Sequence, residues 1–295
     1  MNAASMLFPF NQRVIVTVFL CINISNVNAS ELSANSIPDT QYSYEQKPAG
    51  EKLAQAVYDQ ATGEDASSKV VMLLSRKGKK PKQRILYSYA KDKGNAERWT
   101  LLRFVKPNDV ARTGLLTKDY AGDDSNQWLY LPALDRVRRI SSSRKGGRFV
   151  GSDFQYEDLT DREVNMDNHR ILGEDKVGGI KCTLLESIPV KKKNSIYSKR
   201  ISCIHPKIFV PLRIDYYGRK KEQPIKQLKA KKIKKIQGYW TIFDSTMYNL
   251  KTGHSTKLKT TDIKYDQGIP DTLFSQRGLS DDSREKTFRP QREEH

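Results

Sequence analysis

The sequence predicts a mainly β fold of the α+β class, in which one antiparallel sheet contains most of the residues. From Lys69 onward, short segments rich in β-branched and aromatic residues recur along the chain. Turn-forming residues separate these segments at intervals that suit hairpins, as at Gly178-Gly179 and Thr252-Gly253. With 295 residues, of which 37% are hydrophobic, the chain is long enough to bury a large core.

The first 29 residues have the pattern of a secretory signal peptide. Arg13 precedes an apolar run over residues 14–24, and Val27 and Ala29 fit the positions that a signal peptidase reads. The run is shorter than the ~20 residues needed to cross a bilayer. We therefore expect export to the periplasm with cleavage near Ala29, and loss of Cys21 with the leader.

The elements follow in order along the remaining chain. Residues 30–47 are predicted to be a flexible N-terminal segment, and residues 48–277 to form one domain. A helix is predicted over residues 48–60, because Leu53, Ala56 and Val57 share one helical face. The predicted strands cover residues 69–75, 83–89, 98–105, 128–131, 162–172, 180–188, 211–217, 225–236, 239–250 and 255–265. The polar, charged residues 278–295 are predicted to be a disordered tail.

Two cysteines, Cys182 and Cys203, remain after removal of the leader. Both lie in alternating segments that are predicted to be antiparallel neighbours, and cysteines of an exported protein usually pair. A disulfide is therefore expected. Free buried thiols and a metal site that includes His205 stay open as alternatives, although too few other Cys or His residues are present to complete a metal site.

The chain is strongly basic, with a formal net charge of +18, and the leader contributes only Arg13 to it. Such a charge attracts acidic partners. Because an exported protein rarely meets nucleic acid, we expect no nucleic-acid partner and favour anionic membrane surfaces. A polyanion-binding secreted protein and an ordinary solvated strand face remain alternatives, since the basic residues of 227–236 alternate with apolar ones.

Residues 135–150 differ from the rest, because Ser, Gly and Arg are too frequent there for a strand throughout. We interpret them as a mobile loop that acts as a lid, with Phe149 and Val150 as apolar contacts. The alternative is an ordinary surface loop.

The chain resembles the outer-membrane lipoprotein-sorting-like family, relatives of the periplasmic lipoprotein carrier LolA. Two segments carry the resemblance most specifically: DSNQWLYLPALDRVRRIS at residues 124–141 and GSDFQYEDL at residues 151–159. Three later segments resemble the same family: FVPLRIDYY at 209–217, IKKIQGYW at 233–240 and NLKTGH at 249–254. The resemblance spans about residues 50–277. It implies a single curved sheet forming an open half-barrel, whose concave apolar face is covered by helices and loops and holds acyl chains.

The apolar side chains expected to contact the acyl chains are large aromatics, joined by an isoleucine and a pliable methionine. They are Trp99, Trp128, Tyr130, Phe149, Phe154, Tyr156, Trp240, Ile242 and Met247. Ordinary core packing is the alternative for each of them. Arg136, Arg138 and Arg139 are expected to bind an anion or to hold the lid through Asp153 and Asp158; structural salt bridges are equally compatible with the sequence.

No catalytic set, metal motif or nucleotide-binding loop is recognisable. The four histidines, His169, His205, His254 and His295, are not spaced as metal ligands. The acidic residues of 157–163 leave a carboxylate pair open. We expect no enzyme and no cofactor, but a periplasmic carrier of lipid acyl chains or lipidated proteins that serves sorting to the outer membrane. The alternative function is an accessory module of an inner-membrane exporter, since this subgroup of the family often accompanies export pumps.

Overall fold

A computed structural model describes residues 42–122 and 125–290, and the side chains of these from residue 49 onward. The predicted signal peptide, with its cleavage site near Ala29, lies outside the described residues. Among the residues that are described, no helix has the length and apolar character needed to span a bilayer.

Within the described residues, thirteen strands, two α-helices and several short 3-10 helices make up the regular structure. The helices are α1 (Tyr42–Tyr58) and α2 (Gln276–Ser280). The strands are β1 (Asp65–Arg76), β2 (Lys79–Gly94), β3 (Glu97–Lys106), β4 (Gly114–Asp119), β5 (Asn126–Leu131), β6 (Arg136–Ile140), β7 (Asp167–Val177), β8 (Ile180–Pro189), β9 (Tyr197–Ile204), β10 (Pro211–Gly218), β11 (Pro224–Ile236), β12 (Tyr239–Asn249) and β13 (Ser255–Tyr265).

All thirteen strands belong to one sheet, in the order β6-β5-β4-β3-β2-β1-β13-β12-β11-β10-β9-β8-β7. Every pairing is antiparallel, and β1 pairs with β13 at the centre, where Met72 stands opposite Leu258. The chain therefore builds one half of the sheet outward from β1, crosses to the far edge after β6, and builds the other half back to the centre. The predicted fold class, a curved antiparallel sheet forming an open half-barrel, is confirmed.

Several predicted boundaries differ from the observed ones, and the strand β4 was not predicted. α1 begins at Tyr42, inside the segment predicted to be flexible. The predicted strand at 162–172 begins only at Asp167, because a 3-10 turn over Val164–Met166 precedes it. β6 lies inside the region expected to be a loop, because its backbone pairs with that of β5.

The two faces of the first half of the sheet bury different clusters, because side chains alternate along each strand. One face contains Leu86, Phe104 and Leu115, and we call it the inner face. The opposite, outer face contains Tyr89 and Leu101. In the second half of the sheet, the inner face continues through side chains of β10, β11 and β12.

The C-terminal segment, residues 266–290, covers the outer face of β2–β5. Leu279 is fully buried in the same cluster as Tyr89 and Leu101. The Glu285 carboxylate pairs with Arg103 of β3, with Nε 3.1 Å from Oε2 and both side chains fully buried. The prediction of a disordered tail is therefore wrong for residues 278–290, because this tail covers apolar surface that would otherwise face water.

Cys182 of β8 and Cys203 of β9 form a disulfide, which confirms the prediction. Their Cα atoms are 5.3 Å apart, and Cys203 stands opposite Leu184 in the ladder between the two strands. Both cysteines are buried against Leu212 and Ile233. The bond joins neighbouring strands in the half of the sheet opposite the C-terminal segment.

Candidate functional site

Residues 141–166 connect the two edges of the sheet by crossing its inner face, and we call them the covering segment. They contain four 3-10 turns, Ser142–Arg144, Phe149–Gly151, Tyr156–Leu159 and Val164–Met166. Gly and Ser are frequent in residues 141–152, where they oppose a longer helix. Leu159 packs against the inner-face clusters of both halves of the sheet. The two halves therefore curve toward the same covering segment.

Two phenylalanines of the covering segment fill the inner face. Phe149 is 1% exposed, and its ring centroid lies 5.5 Å from that of Phe104. Phe154 is 6% exposed and packs in a cluster with Tyr216 and Met247. The protein thus supplies its own apolar side chains to the surface on which an apolar guest would lie.

The covering segment is also held by hydrogen bonds to β13. Thr256 accepts a hydrogen bond from the Asp153 backbone N–H at 2.9 Å and donates one to Asp153 Oδ2 at 2.8 Å. Arg148 Nη2 lies 3.0 Å from Asp153 Oδ1. Since Asp153 and Thr256 are both buried, this attachment is shielded from water and ties the middle of the segment to the centre of the sheet.

A second attachment joins the segment to β9 and β11. Asp158 forms an ion pair with Lys226, and both side chains are buried. The Tyr197 hydroxyl donates a hydrogen bond to Asp158 Oδ1 at 2.7 Å. Burial lowers the pKa of the Lys226 ammonium, an effect that Asp158 only partly offsets. Removing either partner of this pair would leave an uncompensated charge inside the protein.

Two cavities lie beneath the covering segment. The first has a volume of about 270 Å³ and lies between α1, the covering segment and the inner face of β7–β10. Its lining combines apolar side chains such as Val57, Leu185 and Ile214 with the charged Arg162 and Arg200. A mixed lining of this kind suits a molecule that has both an apolar chain and a polar group.

The second cavity has a volume of about 290 Å³ and lies over β1–β4. Arg98, Thr160 and Asp161 line both cavities. Arg98 Nη1 donates a hydrogen bond to Asp161 Oδ2 at 2.7 Å, and Arg98 Nη2 donates one to the Tyr58 carbonyl at 3.0 Å. Burial raises the pKa of the Asp161 carboxyl, and Arg98 offsets only part of that rise.

Asp119 is the most perturbed carboxyl in the lining of the second cavity. The residue is 5% exposed, and its Oδ1 has no hydrogen-bond partner within the described residues. Burial raises the pKa of Asp119 to about 7. The carboxyl is therefore partly protonated near neutral pH, so it can both donate and accept hydrogen bonds.

The structure divides the predicted acyl contacts into three groups. Phe149, Phe154, Tyr156 and Met247 lie together on the inner face or against it. The remaining residues lie elsewhere. Trp99, Trp128 and Tyr130 pack on the outer face beneath the C-terminal segment, and Trp240 and Ile242 lie on β12, with Trp240 beside Lys235.

The predicted arginines lie on the edge strand β6 and do not reach the predicted aspartates. Arg136, Arg138 and Arg139 are exposed, and Arg139 bonds to the Asn126 side chain. The covering segment is instead held by Lys226, Tyr197 and Thr256, which no sequence pattern singled out. Such long-range partners leave no local sequence signal, because a buried lysine resembles a solvated one in a strand pattern.

Known proteins of similar sequence share this fold. A family model described only as an uncharacterized protein matches residues 96–281. A Vibrio parahaemolyticus domain, named provisionally as an outer membrane lipoprotein-sorting protein domain, is 32% identical; the match covers 80% of this chain and 100% of that chain, with a TM-score of 0.75. A DUF1329 family protein from Desulfovibrio piger is also 32% identical, over 79% of this chain and 99% of that chain, with a TM-score of 0.75.

A LolA superfamily protein from Nitrosomonas europaea shares the fold, with 14% identity, a TM-score of 0.59, and coverage of 77% of this chain and 97% of that chain. No curated protein sequence matches this chain. The sheet and its covered inner face therefore have a LolA-like fold. At the level of sequence, the chain belongs to the outer-membrane lipoprotein-sorting-like family.

Proposed function

We propose that the protein is a periplasmic carrier that binds the acyl chains of a lipid or a lipidated protein between its inner face and the covering segment. The observation that carries the proposal is that the apolar inner face is covered by side chains of one segment, mainly the buried Phe149 and Phe154, with Tyr156 and Leu159 packed beside them. Displacing them would free a surface on which each buried methylene gains about 0.8 kcal/mol.

The size of the cavities supports a carrier that must open. Each cavity, at about 270 and 290 Å³, is smaller than the roughly 300–1,000 Å³ typical of small-molecule sites. A long acyl chain therefore needs additional space. The covering segment is the element whose movement creates that space, since it separates the two cavities.

The polar groups beneath the segment support an amphiphilic cargo. Arg98 stands between the cavities, and Arg162 and Arg200 line the first one. Guanidinium groups bind carboxylates and phosphates well. The apolar inner face would bind the acyl chain of the cargo, and the three arginines would bind its polar end. An inner-membrane exporter is a proposed source or recipient of this cargo.

The experiment is to lock the covering segment onto the sheet. The double variant Asp153→Cys, Thr256→Cys replaces a direct contact, so the two new thiols are placed to form a disulfide. Binding is measured with a fluorescent fatty-acid probe. We expect the oxidised variant to lose at least tenfold in probe affinity and to regain it after mild reduction.

The two single variants and reductant-treated wild type serve as matched controls. Each single variant removes the Asp153–Thr256 attachment without locking the segment, so neither should lose probe affinity, and reductant-treated wild type should bind like untreated wild type. Equal probe affinity in the locked and reduced double variant would contradict the proposal, since it would place the acyl site elsewhere.

A further inference from the structure

The antiparallel topology brings six turns to one rim of the sheet, and their sequences make that rim strongly basic. The turns occupy residues 76–82, 107–113, 132–135, 190–195, 219–223 and 250–254. Together they contain thirteen lysines and arginines and three acidic residues. We call these six turns the basic rim.

The turns at the opposite rim of the sheet carry much less positive charge. The basic residues are therefore distributed unevenly between the two rims, which the high net charge alone does not explain. The described turn residues of the opposite rim are 93–97, 120–122, 125, 174–181, 205–210 and 234–239. These described residues contain six lysines and three acidic residues. The charge of the protein is thus concentrated at one end of the strands.

Four turns of the basic rim are direct neighbours. Arg219 Nη2 donates a hydrogen bond to the Lys192 carbonyl at 3.0 Å, which joins two of them. The Leu250 N–H bonds to the Ile225 carbonyl, which joins a third to the same group. Ser255 stands opposite Ser75 at the centre of the sheet, so the fourth turn, residues 76–82, is next in line.

The basic side chains of these four turns are available for binding. Lys77, Lys79 and Lys80 are exposed, as are residues 191–193 and 219–221. Within the part of the chain that the structure describes, none of the twelve lysines and arginines in these four turns is ion-paired with an acidic side chain. Their field is therefore not neutralised by the protein itself.

Apolar side chains stand among these charges. Leu134, Val190 and Leu250 lie at three turns of the basic rim and are 62%, 53% and 49% exposed. A single exposed leucine needs no explanation. Here three exposed apolar side chains lie in turns of one basic rim. Basic and apolar side chains occur together in this way at membrane interfaces, where the cations contact headgroup phosphates and the apolar side chains enter the acyl region.

We propose that the basic rim docks onto an anionic lipid bilayer, with Leu134, Val190 and Leu250 inserted at the interface. Each lysine close to an anionic surface contributes about 1 kcal/mol, so a dozen of them are sufficient for reversible binding at moderate salt. The inference concerns the rim alone and holds whether or not the inner face carries an acyl chain.

The test is sedimentation of the protein with lipid vesicles. We expect binding to vesicles of equal parts phosphatidylglycerol and phosphatidylcholine, and no binding to phosphatidylcholine alone. The variant Lys77→Glu, Lys79→Glu, Lys80→Glu should weaken binding on the order of a hundredfold, because it removes three such contacts. Its matched control, Lys176→Glu, Lys181→Glu, Lys207→Glu, makes the same change of charge on the opposite rim and should bind like wild type.

A second variant separates a bilayer from a soluble polyanion. Leu134→Ser, Val190→Ser, Leu250→Ser should weaken binding to the anionic vesicles and leave binding to heparin unchanged. Equal losses for the two charge variants would overturn the proposal, as would vesicle binding that is insensitive to the three serines. Because all altered residues are exposed, unchanged thermal unfolding confirms that each variant is folded.

Discussion

Arg98 of β3 reaches across the inner face to Asp161 of the covering segment, and the 2.7 Å hydrogen bond between them stands between the two cavities. The arginine also bonds to the Tyr58 carbonyl at the end of α1. One side chain therefore connects the helix, the sheet and the covering segment. Its removal affects both stability and the space available to a ligand.

We predict that Arg98→Ala lowers the free energy of unfolding by about 1–3 kcal/mol, because the partly buried Asp161 loses its partner. Urea denaturation measures this change. The same variant should bind a fluorescent fatty-acid probe more tightly than wild type, since the two cavities become continuous. Arg98→Lys is the control, as it keeps the charge but loses the fork of donors; an alanine variant that matches wild type in both assays would contradict this role.

A pH prediction follows from Asp119. Its pKa rises from 3.8 in the unfolded chain to about 7 in the folded protein, so the folded state holds an extra proton between these values. The free energy of unfolding contributed by this group falls as pH rises from about 4 to about 7, and it stays low above that range. At pH 8 the ionised, buried carboxylate costs as much as about 4 kcal/mol.

Asp119→Asn removes this titration, so the variant should be more stable than wild type at pH 8 and nearly equal to it at pH 4. Denaturation at a series of pH values gives the difference between the two proteins, in which all other titrating groups cancel. Parallel stability curves for wild type and variant would show that Asp119 is not buried as described.

The disulfide between Cys182 and Cys203 closes a loop with a sequence separation of 21. In the chain-entropy model such a loop stabilises the folded state by about 3 kcal/mol. We predict that Cys182→Ala, Cys203→Ala loses about this amount in guanidinium denaturation. Reduced wild type should behave like the double variant, and two reactive thiols in the unreduced protein would rule the bond out.

The C-terminal segment is predicted to be essential for stability. Arg103 and Glu285 are both fully buried, and Arg103 also donates hydrogen bonds to the Arg112 and Gly278 carbonyls. Glu285→Ala leaves the guanidinium without its counterion, so we expect a loss of about 3–5 kcal/mol in thermal or urea unfolding. Glu285→Gln keeps the shape and one hydrogen bond and should lose less; equal losses would mean that packing alone attaches the segment.

The fold could be predicted largely from local patterns, and the exceptions have physical reasons. Alternation and turn residues locate most strands after Lys69 because they act over a few neighbouring residues. The pairing of β1 with β13 joins residues far apart in the sequence, and no local pattern indicates it. The C-terminal segment is polar overall, and its local pattern does not indicate that Phe274, Leu279 and Phe288 pack against the sheet.

The candidate site could be predicted only in part, because alternation shows which residues share a face but not which face is inward. Both faces of β2–β5 are covered, so both carry large apolar side chains. Phe149 and Met247 lie on the inner side, whereas Trp99 and Trp128 lie on the outer side. Lys226 was missed since its burial depends on Asp158, a partner 68 residues away in the sequence.

The central claim is that the inner face accepts an acyl chain when the covering segment moves. The most direct measurement is mass spectrometry of an organic extract from protein that was purified without detergent and then incubated with lipid vesicles and repurified. We predict about one acyl-containing lipid for each wild-type chain and none for the oxidised Asp153→Cys, Thr256→Cys variant. Wild-type protein that stays empty after this loading would contradict the account.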